Sequence, residues 1–507
     1  MPMQPRGRSG LPVWAGACGL LLLSGCATNA LKLAPPSAEV PWEIPAAPLA
    51  QPGADSIRGG SEAAAAARPD PALPADVPVK PEAGKHYGLP ELIDLAQRSS
   101  PDTREAWETA RQAALAVGLT ESAYVPQLTA DIVGGFQSTP VPIPTSVVAK
   151  GYFIADSREV LPTIALKWLL FDFGRRSGAE RAARENSFVA NVAFTGAHQK
   201  LVFAVSRDYY ALGASRGKRQ AAEQAVKTAE FVESAVEARR RNGLATTVEL
   251  AQARRQTAQA RFNLERAIGG EHVSYESLIN SLGSDPMVHL EVDDDVDAPL
   301  PPAGTNTVEQ YVQQALATRP DVIAAMGKVR AAQASLDKEH AEHYPTIALA
   351  GQAYQNIGDV RTEDSPYYSV NKPGGDILLT LSVPLFDGGQ RDAQIAVARS
   401  ELAGAQSAYD ATRDNAIKQV RDASDAVNTS LSEYAAAKTL LDSSQVAYDA
   451  ALDAYQHGVE TYTNVVNEET ALAQAQADAA TAHADAQTAA CALAFAAGSI
   501  LRSTQVQ

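Results

Sequence analysis

Cysteine is nearly absent from this chain, with three residues in 507, so disulfides cannot build its fold. Two of the three, Cys18 and Cys26, lie at the extreme N-terminus, which leaves Cys491 alone in the apolar helical stretch Ala489–Ala497, the place of a small buried hydrophobe. Aromatic residues make up only 6%, against 45% hydrophobic overall, because alanine fills much of the apolar count. That balance disfavours a conventional enzyme core. Basic charge is also short: 43 Lys and Arg face 59 Asp and Glu, a net charge of −16 that repels nucleic acid and anionic membrane surfaces. No phosphate-binding loop, dinucleotide glycine motif, His-Glu-x-x-His or Gly-x-Ser-x-Gly occurs. Among eight histidines only His340 and His343 form a close pair, and a metal needs further ligands. No catalytic and no metal-ligating residues are assigned.

Long segments instead mix Ala with Gln, Glu, Asp, Arg and Lys, the composition of long helices packed at close range. The N-terminus reads as a signal peptide over residues 1–25. Arg6 and Arg8 precede an apolar stretch from Leu11 to Leu23, too short to span a bilayer. It ends in Leu23-Ser24-Gly25-Cys26, which looks like a bacterial lipobox, with the Cys26 thiol as the lipid attachment site. Ala27 follows, where an Asp would resemble an inner-membrane retention signal, so the outer membrane is expected. Apart from that covalent lipid, such as palmitate, no cofactor is expected. Residues 26–88, rich in Pro, Ala and Gly, read as a tether.

The rest of the chain is duplicated, in repeats at 89–283 and 307–501. Ser100-Pro101-Asp102 matches Arg319-Pro320-Asp321, and Pro126 matches Pro345. Phe171-Asp172-Phe173-Gly174-Arg175-Arg176 matches Phe386-Asp387-Gly388-Gly389-Gln390-Arg391, and Asn242-Gly243-Leu244 matches His457-Gly458-Val459. Within each repeat, Leu89–Tyr124 or Val308–Tyr344 is helical in pattern. Period-two strands follow, about 126–137 and 161–172 in the first repeat and about 345–354 and 376–387 in the second. Turn formers separate them, at Pro140–Ser146 and Gly358–Gly375. Strands of about ten alternating residues have the length of transmembrane β-strands. Proline-free helices then run from Arg175 to Arg241 and from Gln390 to Gly458, on the order of 100 Å each at about 1.5 Å per residue. The second carries a heptad seam of Val427, Leu431, Tyr434, Lys438, Leu441, Gln445, Tyr448, Leu452 and Tyr455. Gly243 and Gly458 mark hairpin turns, after which Thr246–Leu282 and Thr461–Leu501 return. The acidic, Pro-rich stretch 284–306 joins the repeats, and 502–507 is a tail.

This duplicated helix–strand–strand–helix–hairpin–helix order resembles the TolC-like outer-membrane efflux protein family across about residues 89–501. The resemblance implies a homotrimer: four strands per protomer close a twelve-stranded barrel, and the long helices form a periplasmic α-helical barrel. It also implies a passive duct serving a tripartite efflux pump or type I secretion system, with a periplasmic adaptor and an inner-membrane pump or ABC exporter as partners. Elementary physics agrees, since four strands cannot close a membrane barrel and open edges cannot face lipid. Lys167, opposite the face of Ile164, Leu166 and Trp168, is expected to point into the lumen.

Carried over from the family, the adaptor-contacting tips are Asn242, Gly243, Leu244 and Thr246 with Gly458, Val459 and Thr461. The periplasmic constriction falls on Glu249, Tyr455, Glu460, Asn464, Asn467 and Glu468, with Glu469 beside it. Tyr455 matches a tyrosine held in the family's closed state. Glu460 stands where a basic residue serves, and Asn464 and Asn467 stand where aspartates do, which puts the ionic lock in doubt. Whichever of Glu249, Glu468 and Glu469 faces the lumen becomes a ring of three by threefold symmetry, and such a ring, Glu249 above all, is expected to make a closed duct weakly cation-selective. The cargo stays open among drugs, metal ions, metabolites and polypeptides. Two other functions compete: a periplasmic adaptor lipoprotein, which would carry one hairpin between lipoyl-like domains, and a lipid-anchored periplasmic enzyme.

Overall fold

The computed structural model describes residues 30–43, 85–147, 149–284, 289–293, 299–300, 307–363 and 365–503. Cys26 and the signal segment lie outside the described residues. The chain divides into two compact units. Among the described residues, the first comprises those within 30–34, 111–187 and 327–406, and the second those within 35–110, 188–326 and 407–503.

The helices ahead of the strands break where sequence periodicity alone runs on. Leu89–Ser99 (α1) stops before Pro101–Glu121 (α2). In the second repeat Val308–Thr318 (α3) stops before Pro320–Ala341 (α4). The residue before a proline is pushed out of the helical region, and Ser100 (ψ 123°) and Arg319 (ψ 125°) are both extended. Each single helix expected over about 35 residues is therefore two.

The first unit holds a four-stranded sheet. Gln127–Pro142 (β1), Tyr152–Phe171 (β2), Thr346–Thr362 (β3) and Tyr368–Ser382 (β4) pair in chain order, all antiparallel. The strands reach well past the ends set by alternation, and the expected loop residues Pro140, Gly358 and Gly375 lie inside them. Backbone pairing needs no apolar side chain, so a ladder continues where the hydrophobic pattern has ended. Pro140 and Pro373 lie in β1 and β4, the two outer strands of this sheet. Leu161 and Pro162 drop out of the β2–β3 register, where Pro162 has no N–H to give.

Two helices of 67 residues follow the strand pairs, Arg175–Arg241 (α5) and Gln390–Gln456 (α6). Each folds back through a short turn into 35 residues, Thr247–Ser281 (α7) and Tyr462–Ala496 (α8). Small residues bring these helices together. In the second unit a Cβ on Gly217 of α5 would lie 2.5 Å from the Cβ of Ala480 on α8, which is why the composition is rich in alanine and poor in aromatics. The α6 seam is shifted from the expected one. Lys438 and Gln445 are exposed, and Ala437 and Ser444 take their places beside Leu441 and Tyr448. Leu92, Ile93 and Leu95 of α1, Val202, Val205 and Leu212 of α5, and Leu278, Ile279 and Leu282 form the largest core of this unit. A two-residue parallel pair, His86–Tyr87 with Glu291–Val292, seals it. No helix among the described residues is long and apolar enough to cross a membrane.

Part of the expected tether is pinned rather than free. The carbonyls of Pro35, Ala38 and Trp42 meet the side chains of Trp107 (3.0 Å), His198 (3.2 Å) and Thr195 (2.8 Å). Trp42 packs edge-on to Phe188. Burial pushes the His198 imidazole down to about 4, so it accompanies this segment as a neutral ring.

Candidate functional site

The two hairpin tips in the second unit are built alike from their local sequences. After α5, the Gly243 amide bonds the Arg240 carbonyl (3.0 Å) and the Leu244 amide bonds that of Arg239 (2.9 Å). After α6, the Gly458 amide bonds Tyr455 (3.0 Å) and Val459 bonds Ala454 (2.9 Å). This is the paired closure that satisfies the last carbonyls of a helix, and it needs a left-handed residue, here at φ +72° and +76°. Nothing lies within 4 Å of a Cβ at either glycine, so backbone conformation alone dictates the residue. Gly243→Ala and Gly458→Ala are each expected to weaken the turn by about 1–2 kcal/mol. Faster amide exchange of Gly243–Thr246 or Gly458–Thr461 would register it; unchanged exchange would mean that the turn relaxes without loss.

The returning helices start from threonine caps. The Thr246 hydroxyl accepts from the Glu249 amide (3.1 Å), and the Glu249 carboxylate accepts from the Thr246 amide (2.6 Å). Thr461 caps the Asn464 amide in the same way (3.4 Å), but asparagine there does not return the bond, and Glu460 accepts from the Thr461 amide instead (3.1 Å). Glu249 and Glu460 thus hold helix starts, which favours a capping role over a free lumen charge for Glu249. Asn242, Leu244, Thr246, Val459 and Thr461 are exposed, as is Asn467, while Asn464 and Glu468 are half-buried. Glu469 is buried, against the expectation of a lumen-facing carboxylate.

Tyr455 is held by a residue that pattern reading missed. The Arg239 guanidinium on α5 lies 4.8 Å from the Tyr455 ring centroid, and its Nη1 donates to the carbonyls of Tyr455 (3.0 Å) and Gln456 (3.3 Å). One side chain therefore ties the first hairpin to the end of α6. The Tyr455 hydroxyl is buried and has no hydrogen-bond partner among the described residues. The available signal was the run Arg239-Arg240-Arg241 just before Gly243, where cations also suit the negative end of the helix dipole.

A model of the family described as outer membrane efflux protein matches residues 92–284 and 311–499. The chain belongs to that family. It is 26% identical over 368 residues to the outer membrane protein OprJ of Pseudomonas aeruginosa, covering 72% of this chain and 74% of that one. The cation efflux system protein CusC of Escherichia coli (strain K12) is 24% identical over 335 residues, 66% of this chain and 69% of CusC. The probable outer membrane lipoprotein SilC of Salmonella typhimurium is 24% identical over 368 residues, 71% and 74% of the two chains. A crystal structure of CusC superposes with a TM-score of 0.68 at 23% identity, over 85% of this chain and 99% of that one, a likeness of fold. As an outer membrane efflux protein, this chain resides in the outer membrane and acts in export.

The efflux chain's duplicated Phe-Asp motif has a physical role at the strand-to-helix corners of the first unit. Asp172 accepts from the Arg176 amide (2.9 Å) and Nε (3.0 Å), capping α5. Arg176 in turn donates to the carbonyls of Ala123 (2.9 Å), Leu169 (2.7 Å) and Leu170 (3.2 Å). Asp387 and Arg391 repeat the pairing at α6 (amide 3.1 Å, Nε 2.5 Å). The motif thus joins the last carbonyls of a strand to the first amides of a helix.

Proposed function

We propose that this chain is one protomer of a homotrimeric passive duct. In it three four-stranded sheets close a twelve-stranded barrel, and the long helices line a periplasmic passage. The observation that carries this reading is the sheet order β1-β2-β3-β4, which leaves the outer edges of β1 and β4 without partners among the described residues. Unpaired backbone amides and carbonyls cannot face hydrocarbon, so these edges must pair with copies of each other. The strands alternate in direction, so β4 of one copy meets β1 of the next antiparallel, as the ladder requires. In that barrel Lys167 faces the lumen.

The exposed apolar tips, Leu244 at 68%, Val248 at 64% and Val459 at 81%, suit docking of a periplasmic adaptor. Energy then comes from an inner-membrane pump or ABC exporter, and the chain itself performs no catalysis and holds no cofactor or metal. CusC is named for cation efflux, which favours small cargo; a duct of this kind equally passes drugs, metabolites or polypeptides chosen by the pump. Cys26 is the lipid site, a reading that the name of SilC supports. Cells fed labelled palmitate and then cross-linked should yield a three-chain species that carries label, with the label lost in Cys26→Ala. A detergent-stable monomer with intact strand signal would overturn the trimer, and label retained in Cys26→Ala would overturn the anchor.

A further inference from the structure

Glu469 sits where a carboxylate is least at home. It is 3% exposed, on the face of α8 that packs into the apolar tip bundle with Val232 and Val236 of α5, Leu250 and Ala253 of α7, and Tyr448 and Tyr455 of α6. Among the described residues neither carboxylate oxygen has a partner at hydrogen-bond distance, and the Gln256 amide is the one polar side chain near enough to act on it. The charged groups that reach the surrounding tyrosines are Glu233 and Arg239 from α5, Glu249 and Arg255 from α7, and Asp449 from α6. Arg254 of α7 is committed to Glu233 (3.6 Å), and Glu468 on α8 itself is half-buried. No cation among them neutralises Glu469; the single side chain that favours its ionised form is the neutral Gln256 amide.

We propose that Glu469 is a proton-binding site that latches the hairpin tips: as a carboxylic acid it belongs to the tip bundle, and as a carboxylate it loosens the four helices. An ionised group needs water or a cation; at 3% exposure and with no cation acting on it, Glu469 is relieved on ionisation by parting α8 from its neighbours. Burial raises this carboxyl from 4.5 to about 7. The neighbouring phenols stay neutral over that range, with burial pushing Tyr448 up to about 12 and Tyr462 higher still. A group that holds its proton more tightly in the packed state contributes stability that is full below 4.5 and is lost progressively as pH rises to about 7. Packing at the tips is therefore tightest under acid conditions, and the periplasmic side of an energised membrane is the acidic one. The latch concerns helix packing and stands or falls separately from the duct.

Amide hydrogen exchange on the full-length protein in detergent tests it, with protection corrected for the intrinsic pH dependence of exchange. Protection over Tyr462–Leu472 should fall by up to about tenfold per pH unit between pH 4.5 and 7 and level off above, while α1 stays constant. Glu469→Gln and Glu469→Met should both remove that dependence, and Gln256→Leu should move its midpoint to higher pH. Wild-type protection that is flat across this range, or the same fall in both Glu469 variants, would overturn the latch.

Discussion

Asp172→Ala is expected to destabilise the first strand-to-helix corner by about 3 kcal/mol, because it leaves the Arg176 guanidinium buried without its counter-charge. The two side chains are 7% and 11% exposed, so water does little to replace the lost partner. The same change removes the acceptor for the Arg176 amide at the positive end of a 67-residue helix. At the second corner the Asp387 side chain is 27% exposed, and Asp387→Ala should cost less than half as much. Local amide exchange over the first two turns of α5 and α6, compared between the variants, reads the difference. Equal effects at the two corners would mean that burial does not set the strength of the pair, and no effect at Asp172 would leave the strand ladder as the sole support.

The second large effect is expected at the tips. Arg239→Gln removes a guanidinium stacked on Tyr455 together with two charge-assisted bonds to the end of α6. A half-buried stacking contact contributes about 1 kcal/mol and a charged hydrogen bond about 1.5 kcal/mol or more. A shift of that size is more than tenfold in the balance between joined and separated hairpins. In planar bilayers the variant should spend far more time in high-conductance states than the parent. Tyr455→Phe serves as the discriminating control. Its lost hydroxyl has no partner among the described residues, so conductance should stay near the parental level, whereas Tyr455→Ala should resemble Arg239→Gln. If Tyr455→Phe opens the channel as fully as Arg239→Gln, the hydroxyl and not the ring face carries the contact.

Sequence alone determined the matched segments of the two repeats, the order of the strands and long helices, and the hairpin glycines. These features are written in local chemistry: a proline that ends a helix, a glycine at positive φ, an apolar side chain at every second or every third-and-fourth position. The helix limits Arg175–Arg241 follow from the absence of proline between a strand end and a glycine turn. Membership in the efflux family rests on the same features, because they recur in fixed order along most of the chain.

Tertiary structure decided what depends on a neighbour far away in sequence. The outer halves of the strands, which include Pro140 and Gly358, are strands because another backbone lies beside them, and no side-chain pattern records that. The parallel pair of His86–Tyr87 with Glu291–Val292 joins segments about two hundred residues apart with two residues each, too few for any periodicity. Arg239 was legible as a basic helix end and became a tie only once Tyr455 lay under its guanidinium. Glu249, Glu468 and Glu469 look alike in sequence as acidic residues near the hairpin glycines. One caps a helix, one is half-buried, and one is buried at 3% exposure near Tyr448 and Tyr462. What separates them is solvent access. That is a property of the packed bundle, set by which face each helix turns toward its neighbours.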